Sequence, residues 1–409
     1  MKMKKILIAL GLILSLLLSG CDYQAIVEDY ANKLVHQMTE PEDVVEPFIG
    51  FSETEVDDSE QLRQLQPEEL QNYTSRYSDY NTYTYFEHLN DAEKLLYHAY
   101  EYALDEALPC FWIDDRLLEG MNRTAFEVLE FFSLDSAVVE QNFSLSSGGY
   151  DVTHSILNVE TARESYTTIY VDDFTREKLQ HKEEAIAKAK EILSALPAEA
   201  TARETAEYFF DYLGKNVIYE ADIPAEEYLY AALCLGKTNC DGYTNAFALL
   251  CSMAHISCIE IDNDAPEGEE GHTWNMVYLE DRWVHVDATA AEYDVTAECE
   301  NRRQERIYFG FPDELLEDRI MYADLLPSCP EGLTPVLHIP SGDAVDFTQK
   351  VKQSFRENDR KVAVILVDEG DLEDQITEDL ATELECDLEY VYYETVEGKM
   401  VYYLFNGED

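Results

Sequence analysis

Three residues of reactive type, Cys240, His272 and Asp287, follow one another along the chain, and each lies in a different local setting. Cys240 opens an apolar run over residues 241–251 that predicts a helix. Its sulfur should therefore lie at the helix N-terminus, where unpaired backbone N–H groups and the helix dipole favour an anion. A cysteine in such a position tends towards the reactive thiolate form.

The other two residues lie at the ends of two predicted strands. His272 begins one alternating run and Asp287 ends the next, and the turn-like pair Glu280 and Asp281 separates the runs. If the strands are antiparallel neighbours, the imidazole and the carboxylate lie side by side and the helix brings Cys240 against them. Such a site has a nucleophile, a base and a group that orients the base, which indicates acyl transfer through a thioester.

These three segments resemble the motifs of the transglutaminase-like superfamily. That pattern is Cys-x-Gly-Tyr at the start of an apolar helix, then Gly-His-x-Trp-Asn, then a Trp-containing strand that ends in Val-Asp-x-Thr. The matching residues here are Gly236, Cys240, Gly242, Tyr243, Ala246, Phe247, Gly271, His272, Trp274, Asn275, Trp283, Val286, Asp287 and Thr289. The resemblance covers about residues 203–322 and implies a papain-like catalytic triad of Cys240, His272 and Asp287.

The resemblance also implies a fold class. We expect an α+β protein with a papain/transglutaminase-like core, in which the helix that bears the nucleophile packs on an antiparallel sheet. Two departures from the family pattern concern the surroundings of the triad. Ala254 and His255 stand where the cysteine helix often ends in Gly, and the residues after Asp287 lack an aromatic that many members have.

Acyl transfer also needs a group that stabilises the oxyanion, and a single such donor is worth about 3 kcal/mol. The backbone N–H of Cys240 is the first candidate. A side chain from Tyr228 or Tyr230 is the second, and for these two tyrosines packing in the core is the alternative.

No cofactor and no metal site are predicted. Calcium is the alternative, because animal transglutaminases in the family use it and an acidic loop over residues 262–270 precedes the histidine. That loop lacks the spacing of an EF-hand. His255 and His285 are expected to be structural. The cysteines other than Cys21 and Cys240 are expected to be mainly small buried hydrophobes, with one unassigned disulfide as the alternative.

The charge of the chain limits its partners. The 409 residues include 85 acidic and 29 basic side chains, a formal net charge of −56. Such a surface repels phosphate backbones, so we expect no nucleic-acid binding. The acidity either keeps an exported protein soluble or attracts cationic substrates such as Lys-rich peptides and amines.

The N-terminus has the features of a bacterial lipoprotein signal peptide over residues 1–20. Lysines at the start are followed by an apolar run, and Leu18-Ser-Gly-Cys21 resembles the lipoprotein cleavage box. Cys21 would then be lipidated and would hold the protein on the extracytoplasmic face of the cell membrane. A plain secretory signal or an uncleaved anchor is the alternative.

Composition and periodicity divide the rest of the chain into four parts. These are an acidic, largely disordered spacer (21–84), an accessory α+β module (85–175), the transglutaminase-like core (176–326) and a small C-terminal α/β or α+β domain (331–409). The sequence and its family resemblance therefore predict a surface-anchored cysteine peptidase or amidase that acts through a thioester on amide bonds of peptides or proteins, with cell-wall peptides among the candidate substrates. A protein cross-linker of the same kind is the less favoured form of this prediction. The alternative is a non-catalytic binding or scaffold lipoprotein with the same fold.

Overall fold

The computed structural model describes the following residues: 49–52, 63–138, 143–148, 166–171, 176–224, 227–265, 271–291, 307–339, 344–357, 362–368, 376, 378–386 and 388–406. The predicted signal peptide (1–20) and the predicted lipidation site, Cys21, lie outside this set. Among the described residues, no helix combines the length and the apolar character that a membrane span requires.

Helices and strands alternate irregularly along the described residues. The helices are α1 (Pro67–Gln71), α2 (Asp91–Asp105), α3 (Asp115–Leu118), α4 (Ala125–Asp135), α5 (Arg176–Ser194), α6 (Ala202–Asn216), α7 (Tyr228–Tyr230), α8 (Cys240–Met253), α9 (Ala344–Glu357) and α10 (Glu378–Leu384). The strands are β1 (Ile49–Ser52), β2 (Arg63–Leu65), β3 (Cys110–Asp114), β4 (Phe143–Gly148), β5 (Tyr166–Val171), β6 (Ile218–Tyr219), β7 (Lys237–Thr238), β8 (Cys258–Asp262), β9 (Thr273–Leu279), β10 (Arg282–Val286), β11 (Phe309–Phe311), β12 (Val336–Ile339), β13 (Val362–Val367), β14 (Leu388–Glu394) and β15 (Met400–Asn406).

The central sheet carries the predicted catalytic residues. Its strands lie in the order β11-β10-β9-β8, and every neighbouring pair is antiparallel. Glu280 and Asp281 form the tight turn between β9 and β10, both with positive φ, so that Leu279 lies opposite Arg282. Helix α8 packs on β8 and β9. The predicted hairpin and the predicted α+β core, with its nucleophile helix on an antiparallel sheet, are confirmed.

The central sheet is covered on both faces. The face that carries Val277 and Val284 packs in one core with residues of α5, α6 and α8. The opposite face, which carries Ile259 and Met276, belongs to a second core shared with the accessory and C-terminal parts of the chain. Alternate side chains of β8, β9 and β10 are therefore buried on opposite sides, which fixes the register of the strands that hold the site.

The accessory part contains a five-stranded sheet in the order β2-β1-β3-β5-β4, with α2 and α4 in the same core. The capping box expected from Asn90 and Glu93 is present at the start of α2. The prediction of a largely disordered spacer over residues 21–84 is wrong for residues 49–52 and 63–84, because β1, β2 and α1 are folded there. Ile49 and Phe51 are fully buried against β3. Their short apolar alternation was hidden by the many acidic residues around it.

The C-terminal part contains a mixed sheet in the order β12-β13-β15-β14, in which only β12 and β13 are parallel. Helix α9 packs on β12 and β13, and α10 contacts β14. One face of this sheet forms a core of its own with the helices. The other face, including Val364 and Tyr403, joins the core beneath the central sheet.

Candidate active site

The three residues predicted as a triad lie together. His272 Nε2 is 2.8 Å from Asp287 Oδ2, and the Cys240 thiol is within hydrogen-bonding reach of the imidazole. Because Asp287 occupies Nε2, Nδ1 is the ring nitrogen that remains for the thiol. The side chains of His272 and Asp287 are 32% and 13% exposed, and Cys240 is half-buried.

Cys240 is the first residue of α8. The side chain of Asn239 caps this helix by accepting the backbone N–H of Gly242 at 3.3 Å. A Cβ atom at Gly242 would lie 1.8 Å from Thr238 Oγ1, so only glycine permits the helix start to lie this close to the preceding segment. At the other end of α8, His255 adopts a left-handed conformation (φ +58°) at the position where the family often has Gly.

Backbone contacts hold the other two side chains in place. The backbone N–H of His272 donates to Asn263 Oδ1 at 2.9 Å. Asp287 Oδ1 accepts the backbone N–H of Thr289 at 3.0 Å, which leaves Oδ2 for the imidazole. The backbone N–H of Asp287 donates to the carbonyl of Tyr308 at 2.9 Å, so the segment after β10 is tied to the start of β11. The orientation of the histidine–aspartate pair is thus set by the sheet and its ends.

Electrostatics favour a charged imidazole. Burial alone would lower the pKa of His272, but the hydrogen bonds and charges of Asp287 and Cys240 outweigh it and raise this pKa to about 10. The ring therefore carries a proton at neutral pH. A protonated His272 beside the sulfur can donate that proton to a leaving amine.

A second histidine–aspartate pair lies behind the first, joined to it by the indole of Trp274. The Trp274 ring stacks on the His272 ring with centroids 5.8 Å apart, and its Nε1–H donates to His285 Nδ1 at 3.1 Å. His285 Nε2 is 2.9 Å from Asp313 Oδ1, and the backbone N–H of Cys329 donates to Asp313 Oδ2 at 2.8 Å. No short-range motif in the sequence signals Asp313, which lies 28 residues after His285.

His285 and Cys329, which are buried, and Asp313, which is partly exposed, also have the types of metal ligands. One potential ligand atom each from His285, Asp313 and Cys329 lies within 4.8 Å of the other two. The hydrogen bonds specify another arrangement. An indole N–H only donates, so His285 Nδ1 accepts from Trp274 and the ring proton is on Nε2, directed at Asp313. Burial, and then the charge of Asp313, raise the pKa of the Cys329 thiol well above its ordinary range, so this sulfur is protonated.

The two tyrosines predicted as oxyanion donors have different surroundings. Tyr230 stacks on His181 of α5, with ring centroids 4.1 Å apart, which favours the packing alternative for this residue. The side chain of Tyr228 hydrogen-bonds Asp241, the residue that follows the cysteine. Tyr228 and the backbone N–H of Cys240 remain the predicted donors. In the acidic loop for which calcium was the alternative, residues 266–270 lie outside the described residues.

A cleft of about 310 Å³ opens beside the histidine–aspartate pair. Its lining residues are His272, Trp274, Asp287, Thr289, Ala290, Tyr308, Phe311, Leu315, Leu316, Glu317 and Asp318. The lining of the cleft therefore combines the histidine–aspartate pair with apolar residues and with two acidic residues, Glu317 and Asp318.

A half-buried cysteine at a helix start, bonded to a histidine that an aspartate orients, defines the papain-like class of cysteine sites. Residues 186–288 match the sequence model of the transglutaminase-like superfamily. The transglutaminase-like core that the motifs predict is therefore confirmed over these residues.

Comparison with known proteins gives shorter matches. The kyphoscoliosis peptidases of Mus musculus and Homo sapiens are 40% identical over 63 residues, which is 13% of this chain. The match spans about a tenth of the length of those relatives (10%). Two solved structures are similar at 14% identity and a TM-score of 0.22. They are a putative cysteine protease from Cytophaga hutchinsonii (37% of this chain, 66% of that one) and the periplasmic domain of TgpA from Pseudomonas aeruginosa (31% and 54%).

Proposed function

We propose that this protein is a cysteine peptidase or amidase that cleaves amide bonds of peptides or proteins through a thioester. The observation that carries the proposal is the contact of Cys240, at the start of α8, with an imidazole that Asp287 holds at 2.8 Å beside an open cleft. The kyphoscoliosis peptidases, which match this chain over 63 residues, support the same class of reaction.

The reaction follows from the positions of the protons. The protonated His272 holds the proton that came from the Cys240 thiol, and the resulting thiolate attacks the amide carbonyl. The tetrahedral intermediate collapses, the C–N bond breaks, and His272 returns the proton to the leaving amine. The thioester then passes its acyl group to water, which regenerates the thiol, or to a second amine, which gives a cross-link. The backbone N–H of Cys240, with Tyr228 as a second donor, would bind the oxyanion, each donor contributing about 3 kcal/mol.

We further propose that the enzyme acts at the cell envelope. The signal-like residues 1–20 and the cleavage box at Cys21 support a lipid anchor on the extracytoplasmic face of a bacterial membrane. Peptides of the cell wall are then the nearest amide substrates. Expression in a bacterial host tests the anchor, because Cys21→Ala should move the protein from the membrane fraction to the medium or periplasm. Retention of that variant in the membrane would rule out lipidation at Cys21.

The chain contains its own control for the catalytic part of the proposal. Cys234 is exposed, and burial and Glu184 raise the pKa of its thiol, whereas Cys240 contacts an imidazolium. At pH 6, iodoacetamide should alkylate Cys240 at least about tenfold faster than Cys234, because only Cys240 lies at a helix start in contact with an imidazolium. Peptide mass mapping of a time course measures both rates in one sample.

Two variants complete this test. His272→Ala should lower the alkylation rate of Cys240 to that of Cys234 and leave the rate at Cys234 unchanged. His255→Asn, at an exposed histidine, is the matched control and should change neither rate. Equal rates at the two cysteines in the unmodified protein would contradict the enzyme and favour the non-catalytic scaffold.

A further inference from the structure

The cleft beside the triad has an apolar floor. Trp274, Phe311, Leu315 and Leu316 line it, and their exposed fractions are between 2% and 9%. Their side chains are packed beneath the cleft, so the surface that they present is preformed. An alkyl chain lying on this floor would remove apolar surface from water on both sides of the contact.

The cleft also has acidic lining residues, which form what we call its acidic wall. Glu317 and Asp318 line it, and no lysine or arginine is among the described residues around the cleft. Tyr308 donates its hydroxyl to Glu317 Oε1 at 3.0 Å, which orients this carboxylate. Burial, together with the charges of Asp318 and Asp287, raises the pKa of Glu317. A cation at this wall would relieve the repulsion among the carboxylates.

The C-terminal part of the chain holds this wall in position. The backbone N–H of Val396 donates to the carbonyl of Leu316 at 2.8 Å, and Tyr393 donates its hydroxyl to the carbonyl of Leu315 at 3.0 Å. The rings of Tyr393 and Tyr308 are stacked with centroids 6.0 Å apart. The segment that carries the acidic residues is thus tied to the strand β14 and to the turn that follows it.

The cleft lies on the side of the site where the leaving part of the substrate would bind. In the proposed reaction His272 donates its proton to the leaving amine, so the part of the substrate that leaves must lie on the histidine–aspartate side of the sulfur. His272 and Asp287 both line the cleft. The residue that follows the cleaved amide should therefore place its side chain here.

We infer that this cleft is a specificity site for a lysine or arginine side chain directly after the cleaved amide. The aliphatic part of the side chain would lie on the apolar floor, and its terminal cation would pair with Glu317 and Asp318. The inference rests on the proposed function, and it assigns to the C-terminal part of the chain the role of holding one wall of the substrate site.

Internally quenched peptides test the inference directly. A series that differs only after the cleaved bond, with Lys, Arg, norleucine or Glu there, separates the cation from the alkyl chain. We expect kcat/KM for Lys and Arg to exceed that for norleucine by about tenfold, which is the effect of one partly buried ion pair. Glu317→Gln with Asp318→Asn should remove that preference. The matched control, Glu199→Gln with Asp222→Asn, removes two exposed charges outside the cleft and should keep it.

A binding measurement keeps the inference testable in the absence of turnover. Calorimetry on the Cys240→Ala variant with n-hexylammonium and hexan-1-ol compares the same alkyl chain with and without a cation. The ammonium should bind about tenfold more tightly, and the added Glu317→Gln and Asp318→Asn changes should abolish the difference. Cleavage without preference for a cation, or equal binding of the two compounds, would overturn the inference and leave the proposed peptidase intact. Slow alkylation of Cys240 would instead overturn the peptidase.

Discussion

The pairs His272–Asp287 and His285–Asp313 have nearly the same geometry, with nitrogen–oxygen distances of 2.8 and 2.9 Å. Trp274 joins them, since its ring stacks on His272 and its N–H donates to His285. Their exposure differs. The side chain of His272 is 32% exposed and lines a cleft, whereas that of His285 is fully buried. The two pairs, named open and closed after the exposure of their histidines, thus lie on either side of a single indole, and the side chain of Asp313 itself is 42% exposed.

A cysteine lies near each pair, and the two thiols differ more than the pairs do. Cys240 is half-buried at a helix start and hydrogen-bonds the free nitrogen of its imidazole. Cys329 is fully buried, and both nitrogens of His285 are already bonded to other groups. Residue types alone therefore do not define a nucleophile. The sulfur needs access to substrate and an imidazole nitrogen without another partner.

Removing the sulfur of Cys240 or the imidazole of His272 should have the largest effect on activity. Cys240→Ala or His272→Ala should lower kcat/KM for peptide hydrolysis by about 10⁴-fold or more, because the nucleophile and its base act as a unit. Steady-state kinetics on quenched peptides measures this loss. Cys234→Ala is the matched control and should retain activity. A Cys240→Ala variant with more than about a tenth of the original rate would show that the chemistry lies elsewhere.

Asp287→Asn should have the next largest effect, a loss of about 10²- to 10⁴-fold in kcat, because the amide neither orients the ring correctly nor stabilises its charge. The pKa of His272 is raised to about 10, so the unmodified enzyme should lose activity only as pH rises through that value. In the variant this alkaline limb should move towards the ordinary histidine pKa of about 6.5. An unchanged pH profile would mean that Asp287 does not act on His272.

The raised pKa of His272 also makes the stability of the protein depend on pH. The raised pKa of His272 contributes stability that is fully present below the unfolded pKa of 6.5 and is lost as pH rises through about 10. Urea unfolding between pH 6 and 11 should therefore show a decline in the free energy of unfolding on the alkaline side. The decline should be smaller in Asp287→Asn than in the unmodified protein.

The open pair could be predicted from the sequence because each residue lies next to a local signal. Cys240 precedes an apolar helical run, and Glu280 with Asp281 fixes the hairpin that brings His272 and Asp287 together. The motifs of the superfamily reinforced these signals. Helix starts with a side-chain cap, such as that of α2 at Asn90, could also be predicted, because the capping residues are close together in the sequence.

The closed pair and the edge of the accessory sheet could not be predicted in this way. Asp313 meets His285 only because the loop after β11 folds back on the sheet, and no local pattern encodes that return. Ile49 and Phe51 are short apolar signals inside acidic sequence, and only their pairing with β3 gives them a structure. Both features depend on contacts between distant parts of the chain, which residue periodicity does not report.

Breaking the closed pair should lower the free energy of unfolding and leave the reactivity of Cys240 nearly unchanged. His285→Phe leaves the Trp274 N–H without a partner and removes one of the hydrogen bonds to Asp313, so the free energy of unfolding should fall by about 1–3 kcal/mol in urea titrations. The alkylation rate of Cys240 at pH 6 should stay within about threefold, because a stacked indole still contacts His272. A stable variant with an unreactive Cys240 would show instead that His285 positions the catalytic ring through Trp274.

Asp313 of the closed pair should have a smaller effect, on the free energy of unfolding at acid pH. Burial would raise the pKa of Asp313, but the hydrogen bonds from His285 and from the backbone of Cys329 hold it below the ordinary value. A lowered pKa gives stability that is present above the unfolded value, about 3.9, and is lost as pH falls through the folded value. Asp313→Asn should flatten the decline in the free energy of unfolding below about pH 4. Asp222→Asn, at an exposed position, should not flatten it.

Cys329→Ala should have the smallest effect, because this thiol takes part in packing rather than in chemistry. We expect a loss of about 1 kcal/mol in the free energy of unfolding and no change in kcat/KM, with exposed Cys234→Ala as the matched control.

Zinc chloride and EDTA should leave the thermal midpoint of the unmodified protein unchanged, since the hydrogen bonds place a proton on His285 Nε2 where a metal would bind. A midpoint that zinc raises in the unmodified protein but not in Cys329→Ala would show a metal site. The group of His285, Asp313 and Cys329 would then differ from the group of Cys240, His272 and Asp287 because it binds a metal ion. The position of the proton on His285 would not be the cause of the difference.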